Sequence, residues 1–322
     1  MKAICVEQFG GPDVMRLMDL PDPVPRAGEI LVEVKAAGIN PVDTYIRSGQ
    51  YSIKPILPYT PGLDGAGVVV AVGEGVAGFS TGNRVFISGS VSGTYASLAA
   101  CTKDQIYPLP DPLTFEQGAA IGIPYLTAYR ALFFKAKAGA RETVLIHGGS
   151  GGVGIAAIQL AKANHLKILA TAGTPRGLDL VRGQGVDAAF DHSQPGYLDE
   201  IRAFQQDRGV DIILEMAAHK NLGEDLTLLA KNGRLVIIGS RGPVSLDPRA
   251  IMSREAVVLG LMNMSLDPSE RAKAFAAIVL ALNKNIISPV ISRRFPLTEA
   301  PQAHETVMQP GAAGKIVLIP AP

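Results

Sequence analysis

Cysteine is scarce in this sequence, which has only two among 322 residues, Cys5 and Cys101. Two thiols are too few for a thiolate metal site of their own. They could pair, but an isolated pair in a cytoplasmic chain is more often two reduced and packed thiols. Charge of one sign is also lacking, since 30 Lys and Arg face 29 Asp and Glu. This balance gives no electrostatic footprint for nucleic acid or an anionic membrane.

Long apolar runs are missing as well. No stretch reaches the ~20 uninterrupted apolar residues of a membrane span, and the N-terminal segment MKAICVEQFG lacks the apolar core of a signal peptide. Hydrophobic residues nevertheless make up 47% of the chain and charged residues 18%, as in a well-buried globular protein. We therefore expect a soluble, cytoplasmic protein without a membrane partner, and its length suggests about two domains.

The chain up to about residue 122 alternates short β-like runs with turns rich in Pro and Gly. This spacing predicts a compact, mostly antiparallel β domain. Thr114 and Gln117 have the spacing of a capping box, which predicts a helix start, and residues 125–137 form another helical stretch. The predicted strands lie at residues 2–6, 29–37, 66–72, 84–88 and 95–99.

A glycine-rich segment, VLIHGGSGGVG at residues 144–154, follows directly on an apolar strand and opens a helix. Gly149, Gly151 and Gly154 have G-x-G-x-x-G spacing, which allows a tight turn, close backbone approach to a pyrophosphate and close helix–strand packing. Such glycines alone are weak evidence, but the strand–turn–helix context that the motif requires is present. The segment therefore predicts a dinucleotide-binding site at a helix N-terminus.

Beyond this segment the pattern becomes an alternation of strands and helices, which predicts parallel βαβ units and a doubly wound sheet. Its ligand crevice should lie at the carboxyl ends of the strands. Residues 271–282 read as an amphipathic helix and residues 295–322 as strands that return to the first domain. We expect a catalytic domain made of residues 1–122 and 269–322, and a cofactor domain made of residues 123–268.

The residues at the end of the second predicted strand of the cofactor domain distinguish NAD from NADPH. An NAD site normally has Asp or Glu there, about 20 residues past the glycines, to bind the ribose 2′-OH. Residues 172–176 read AGTPR and hold no carboxylate. Arg176 could attract a 2′-phosphate or be a solvated residue at a helix start. His192 could reach the adenosine end of a cofactor or be an ordinary surface or core histidine, and the role of Arg241 is open in the same way. The missing acid favours NADPH.

Several longer segments together resemble the medium-chain dehydrogenase/reductases, and among them the zinc-independent quinone oxidoreductases of the zeta-crystallin type. The resemblance spans essentially the whole chain. It implies an N-terminal GroES-like β domain completed by the C-terminal segment, a central Rossmann domain and a homodimer. The segments that carry it are GINPVDTYIRSG at 38–49, PYTPG at 58–62, GAAIGIPYLTAYR at 118–130, HGGSGGVG at 147–154, Gly173-Thr174, Glu215-Met216 and GSRG at 239–242.

The resemblance also implies which residues contact NADPH, by their position in the matching segments. The contacts expected in this way are Tyr45, Ser150, Gly151, Gly152, Val153, Gly173, His192, Asn221, Ile238, Gly239, Ser240, Arg241, Leu261, Met262 and Asn263.

Zinc-dependent members of the superfamily have a cysteine and a histidine where this chain has Asn40 and Leu63, neither of which is a plausible zinc ligand. The five histidines show no metal-binding spacing either. Without a Lewis acid the substrate must already be electrophilic, and the oxygen that gains negative charge needs hydrogen-bond donors. Asn40, Tyr45 and Arg47 could supply them; alternatively, Asn40 caps a turn and Arg47 pairs with a neighbouring acid.

The sequence therefore predicts an α/β protein with a Rossmann doubly wound parallel sheet plus a GroES-like, mostly antiparallel β domain. The predicted function is metal-free, NADPH-dependent reduction of a small-molecule quinone. An NADPH-dependent enone or enal reductase is the alternative, because the same chemistry suits any polarised C=C bond. A non-catalytic NADPH-binding or RNA-binding protein is a further alternative, and the near-neutral charge argues against RNA.

Overall fold

The computed structural model describes residues 1–320 of the chain. The strands in chain order are β1 Lys2–Val6, β2 Met15–Asp19, β3 Glu29–Gly38, β4 Asp64–Val72, β5 Arg84–Ser88, β6 Leu98–Thr102, β7 Ile106–Pro108, β8 Thr143–Ile146, β9 Lys167–Ala172, β10 Ala188–Asp191, β11 Val210–Glu215, β12 Leu229–Ile237, β13 Val257–Gly260, β14 Ile291–Pro296 and β15 Lys315–Ile319.

The helices in chain order are α1 Pro41–Arg47, α2 Phe115–Gly118, α3 Gly122–Tyr129, α4 Gly152–Ala163, α5 Pro175–Gly183, α6 Tyr197–Phe204, α7 Ala218–Leu228, α8 Pro248–Met252, α9 Pro268–Asn283 and α10 Ala300–Met308. None of the helices in the described part of the chain combines the length and apolar character that crossing a membrane requires.

The chain divides into two compact units. Unit 1 contains Met1–Ile123, Phe275–Pro310 and the segment from Gly314 onward, and unit 2 contains Pro124–Ala274 and Gly311–Ala313. The sequence placed the functional domain boundaries after residues 122 and 268, and that functional division stays a prediction.

Unit 1 is built on a seven-stranded sheet in the order β14-β15-β3-β4-β5-β7, with β6 paired to β3. All of its pairings are antiparallel except that of β14 with β15. Its core gathers apolar side chains of β1, β3, β5 and β15, including Ile4, Ile30, Ile87 and Leu318, all at most 1% exposed. Both cysteines are free thiols and buried.

Two predicted elements of unit 1 differ from the structure. The strand predicted at residues 95–99 begins at Leu98 instead, because the residues before it form only an isolated bridge to β1, in which the Ile4 N–H donates to the Tyr95 carbonyl. The region predicted as strands alone, residues 295–322, contains α10 between β14 and β15. The predicted capping box is present, since the Gln117 N–H donates to Thr114 Oγ1 and the Thr114 N–H to Gln117 Oε1.

Unit 2 contains a six-stranded, all-parallel sheet in the order β10-β9-β8-β11-β12-β13. Numbered from β8, this is the order 3-2-1-4-5-6 of a doubly wound dinucleotide-binding sheet, whose strand order reverses between β8 and β11. The central strand β8 is buried along its whole length, as expected for a parallel strand covered on both faces. The predicted fold class is confirmed.

Candidate functional site

The glycine-rich segment lies between β8 and α4, as predicted. The Gly149 N–H donates to the Thr171 carbonyl (2.7 Å), which fixes the turn against β9. A Cβ at Gly154 would lie 2.4 Å from the Gly148 carbonyl oxygen, so only glycine permits this helix–strand packing. At Gly151 a Cβ would meet nothing closer than 3.5 Å, and no side chain caps α4 there. The first amides of α4 are therefore suited to an anionic ligand.

The second predicted contact segment follows β9. Thr174 is the N-cap of α5 and accepts a hydrogen bond from the Gly177 N–H (3.1 Å). A Cβ at Gly173 would lie 2.5 Å from His192 Nε2, so the imidazole of His192 lies directly over the Gly173 backbone. Arg176 is exposed in the first turn of α5. Gly173 and His192 thus form one small surface at the ends of β9 and β10.

The ends of β11 and β12 bring three further predicted contacts together. The carboxyl group of Glu215 accepts hydrogen bonds from the Ala217 N–H and from Asn221 Nδ2, the latter at 3.1 Å. The Ile238 N–H donates to the Glu215 carbonyl at 2.8 Å. A Cβ at Gly239 would lie 2.5 Å from the Met216 carbonyl oxygen, so glycine is required there too. Ser240 and Arg241 follow on the exposed surface.

The segment after β13 is held by residues that sequence reasoning missed. Asn263 Nδ2 donates to Thr127 Oγ1 (2.6 Å), while Arg130 Nη1 donates to Asn263 Oδ1 (3.1 Å) and the Met262 carbonyl (3.0 Å). Thr127 and Arg130 stand in α3 and the π-helical turn after it, where a single helix was predicted at residues 125–137. Both belong to the family segment 118–130, which was the available signal.

All predicted cofactor contacts of unit 2 thus lie after the carboxyl ends of its six parallel strands, at the edge where a doubly wound sheet binds its ligand. Ser150 is buried, and its hydroxyl donates to the Ala312 carbonyl (2.5 Å). Gly152 and Val153 form the first turn of α4, and Leu261 lies directly after β13. Direct contact of each residue with a cofactor stays a prediction.

In unit 1 the three predicted hydrogen-bond donors lie at the start, middle and end of α1. Asn40 is the N-cap residue, and its backbone N–H donates to Asp43 Oδ2 (2.8 Å). Its side chain is only 3% exposed; Nδ2 donates to Asp64 Oδ2 (2.9 Å) and Oδ1 accepts from Lys315 Nζ. Asn40 therefore does cap a helix, while its side-chain amide is engaged by a buried ion pair.

The ion pair joins Lys315 to Asp64, and both members bond to the side chain of Asn40. Lys315 Nζ lies 3.2 Å from Asp64 Oδ2, and Asp64 Oδ1 accepts the Ile123 N–H at 2.8 Å. Burial lowers the pKa of Lys315, and the neighbouring carboxylate of Asp64 opposes that shift. Asn40 and Leu63 offer no zinc-binding group, and an ammonium group already satisfies the Asn40 oxygen. A catalytic zinc ion does not fit these residues.

Arg47 and Tyr45 face different surroundings. The guanidinium of Arg47 is buried; Nε donates to the Gly10 carbonyl (3.2 Å) and Nη1 lies 3.4 Å from His304 Nδ1, so its partners are a carbonyl and a histidine rather than an acid. Tyr45 is half-buried, and within residues 1–320 its phenol oxygen has no hydrogen-bond partner. Of the three predicted donors, Tyr45 alone has its donor group uncommitted in the described residues.

Comparison with known proteins assigns the class. A family model described as an alcohol dehydrogenase GroES-like domain matches residues 26–111, and one described as a zinc-binding dehydrogenase matches residues 152–280. The E. coli quinone oxidoreductase complexed with NADPH has a TM-score of 0.88 at 28% identity, covering 99% of this chain and 100% of that one. An NAD-dependent alcohol dehydrogenase has a TM-score of 0.92 at 29% identity, covering 99% of each. The chain is thus an oxidoreductase of the medium-chain dehydrogenase/reductase class.

A closer similarity in sequence narrows the assignment. The quinone oxidoreductase of Mus musculus is 48% identical over 324 residues, which covers 99% of this chain and 98% of the relative. The chain belongs to the family of zeta-crystallin type quinone oxidoreductases. The resemblance that the sequence motifs indicated is confirmed.

Proposed function

We propose that the protein is an NADPH-dependent quinone oxidoreductase that works without a metal ion. The observation that carries the proposal is the arrangement of unit 2, where a glycine-rich phosphate cradle and five further segments lie at the carboxyl ends of one doubly wound sheet. Relatives named quinone oxidoreductases align along almost the entire chain. The unit fits a dinucleotide, which when bound supplies the hydride for reduction.

NADPH rather than NADH is proposed because of the surface after β9. Residues 172–176 hold no carboxylate that would bind a ribose 2′-OH or repel a 2′-phosphate. His192 lies over Gly173, and Arg176 is exposed in the adjacent helical turn. A histidine and an arginine beside a helix N-terminus form a surface that favours an anion.

A quinone is proposed as substrate because Asn40 and Leu63 provide no ligand for a catalytic zinc ion that would polarise the substrate, whereas the chain does offer hydrogen-bond donors. We assign to Tyr45 the role of donating a hydrogen bond to the oxygen that gains negative charge. Asn40 and Arg47 are proposed to assist, although both already make buried hydrogen bonds inside unit 1. Residues 1–122 and 269–322 would form the catalytic domain and residues 123–268 the NADPH domain. The family resemblance further leads us to propose a cytoplasmic homodimer.

The test follows NADPH and NADH absorbance with a panel of 1,2- and 1,4-quinones and small enals. We expect quinone turnover with NADPH, a weaker reaction with NADH, and no loss of activity in a strong zinc chelator. Absence of turnover with every quinone would contradict the proposal. Higher turnover of enals than of quinones would favour the enone reductase instead, and tight NADPH binding without any turnover would favour the non-catalytic alternative.

The assignment of Tyr45 has a matched control in Tyr51, another half-buried tyrosine six residues further on. Tyr45→Phe should lower kcat by roughly 100-fold or more, the usual effect of removing one donor that acts in the transition state. Tyr51→Phe should leave kcat unchanged. Equal kcat values for the two variants would refute the role of Tyr45.

A further inference from the structure

One buried cation ties the segment after β13 to the helical region that precedes the glycine-rich segment. Arg130 is the first residue of the π-helical turn Arg130–Lys135, and it is only 4% exposed. Its Nη1 donates to the Met262 carbonyl (3.0 Å) and to Asn263 Oδ1 (3.1 Å). A single guanidinium nitrogen therefore holds two successive residues of segment 261–263.

The side-chain amide of Asn263 has only one orientation that fits its partners. A guanidinium can only donate, so the atom that faces Arg130 is the amide oxygen. The amide nitrogen then donates to Thr127 Oγ1 at 2.6 Å. Thr127 is 4% exposed and lies in α3, three residues before Arg130. Both ends of the Asn263 side chain are thus engaged inside unit 2, where they anchor the segment.

Burying the Arg130 guanidinium here is costly for stability. Within residues 1–320 no carboxylate lies at ion-pair distance from it, although the charge of Glu270 acts on it from farther away. Its Nε is buried and has no hydrogen-bond partner in this part of the chain. An apolar residue of similar volume would pack without that cost, and π-helical turns are often found at functional sites. Both points indicate a purpose other than stability.

The place of segment 261–263 at the sheet decides which part of a cofactor it faces. A doubly wound sheet has two mononucleotide-binding halves, here β8 to β10 and β11 to β13, and a dinucleotide lies across the crevice between them. The ribose next to the adenine is recognised at the end of the second strand, which is β9. The segment follows the last strand of the other half. With the proposed function, it therefore faces the nicotinamide half of NADPH.

We propose that Arg130 is a positioning residue for the nicotinamide half of the cofactor. Through the Met262 carbonyl and the Asn263 amide, it fixes segment 261–263 at the carboxyl end of β13, so that the nicotinamide is held in one orientation for hydride transfer. The adenosine half binds at the end of β9 and does not depend on this anchor. The identity of the ligand rests on the proposed function, whereas the anchor itself can be tested without a ligand.

The first experiment measures hydrogen–deuterium exchange of the full-length protein without cofactor. The amide N–H groups of Leu261, Ser265 and Leu266 are hydrogen-bonded to backbone carbonyls, so their exchange reports opening of the segment. Arg130→Met keeps an unbranched side chain and removes the donors, and it should speed this exchange by about tenfold. Exchange at the wild-type rate in a folded Arg130→Met would overturn the proposal.

Arg254 provides the matched control, because it makes the same type of bonds at the opposite edge of the sheet. Its Nε donates to the Leu229 carbonyl (2.8 Å) and its Nη2 to the Thr227 carbonyl (2.7 Å), at the amino end of β12. Arg254→Met should lower Tm but leave the exchange of residues 261–266 and the Kd for NADPH unchanged. Equal loss of NADPH affinity in Arg254→Met and Arg130→Met would reveal general destabilisation and would overturn the proposal.

The second experiment compares NADPH with adenosine 2′,5′-bisphosphate, which carries the adenosine and the 2′-phosphate but no nicotinamide. Arg130→Met should raise the Kd for NADPH by about tenfold and leave the Kd for the bisphosphate unchanged. Arg130→Lys keeps the charge but replaces the guanidinium fork with one ammonium group, so it should show a smaller loss. Equal losses for both ligands, or an unchanged Kd for NADPH, would overturn the proposal.

Thr127 offers a milder pair of variants that tests the same anchor. Thr127→Val keeps the shape and removes the acceptor of the Asn263 amide, so it should weaken the binding of NADPH but not of the bisphosphate. Thr127→Ser, which restores the hydroxyl, should recover the affinity. Equal NADPH affinity of the two variants would overturn the proposal. Failure of the wild type to bind NADPH would instead contradict the proposed function, and the exchange experiment would still decide whether Arg130 holds the segment.

Discussion

His304 offers the sharpest test of how the buried network around α1 is held together. Its ring is 1% exposed, with Nδ1 at 3.4 Å from Arg47 Nη1 and Nε2 at 3.0 Å from the Tyr95 hydroxyl. Because a guanidinium can only donate, Nδ1 must be the acceptor and Nε2 must carry the hydrogen. The Tyr95 hydroxyl accepts that hydrogen and donates to Asp43 Oδ2 at 3.2 Å. The chain of donors is consistent only while His304 is neutral.

Protonation of His304 would place a second hydrogen on Nδ1, against the Arg47 guanidinium. Burial, and then the charge of Arg47, lower the pKa of His304 to about 3. Since an unfolded histidine titrates near ~6.5, the unfolded state binds the proton first, and stability falls as pH drops through the window from about 6.5 to 3. The linkage gives about 5 kcal/mol over the whole window and about 2 kcal/mol by pH 5.

His304→Gln removes the titrating group and keeps one acceptor and one donor at the end of the side chain. The variant should be less stable than the wild type at pH 8, because the imidazole packing is lost. Between pH 8 and pH 5, however, its free energy of unfolding should fall by about 2 kcal/mol less than that of the wild type. Urea unfolding followed by circular dichroism measures both curves, since the chain has no tryptophan to report by fluorescence.

The raised pKa values of Asp43, Glu215 and Asp225 have the opposite effect, because they increase stability as pH falls. These three groups are present in both proteins, so the difference between the two curves isolates His304. His165→Asn is the control, since His165 lies in an exposed turn with φ 59°, a conformation that Asn tolerates. Its pH dependence should match that of the wild type. If the free energy of unfolding fell equally with pH in His304→Gln and in the wild type, the proposed tautomer of His304 and the stability lost on its protonation would be refuted.

Other substitutions test the remaining sites. Lys315→Met should destabilise the protein by about 3–5 kcal/mol, because it leaves the Asp64 carboxylate buried without its cation. Adding Asp64→Asn should recover part of this loss in a double-mutant cycle of urea unfolding. If the losses of the two single variants simply added in the double variant, the ion pair would not contribute to stability. Gly173→Ala places a Cβ 2.5 Å from His192 Nε2 and should weaken NADPH binding, whereas Gly183→Ala, with nothing within 4 Å, should not; titration calorimetry compares the two. Gly154→Ala, 2.4 Å from a backbone oxygen, should lower Tm and NADPH affinity together, and an unchanged Tm would contradict the packing role of this glycine.

Local patterns in the sequence identified the features that depend on neighbouring residues. The glycine-rich segment, the capping box at Thr114 and the alternation of strands and helices all have a short-range physical cause, and the structure contains each of them. The parallel pairing of the strands in one doubly wound sheet also follows from general rules of connection. Helix α10 was missed because its residues 300–308 were read together with the strands on either side.

The polar networks could not be predicted in the same way, because they join residues that are far apart in the chain. Lys315 meets Asn40 across 275 positions, and Arg47 meets His304 across 257. His147 and Asp225 likewise come together only through the order of β8 and β11. A histidine or lysine whose partner lies in another strand has no local pattern, so the sequence marked Arg47 as a donor without revealing that it is already engaged.

The ion pair of Lys315 also determines how late in synthesis this part of the protein can finish folding. Lys315 belongs to β15, the last strand within residues 1–320, while Asn40 and Asp64 lie in the first 70 residues. During synthesis the N-terminal segments leave the ribosome first and begin to fold before the C-terminal strand exists. Asn40 therefore lacks its ammonium partner until all of unit 2 has been synthesised. A nascent chain that stops short of β15 carries an Asp64 without its ammonium partner, so this part of the enzyme is completed only once β15 has been synthesised.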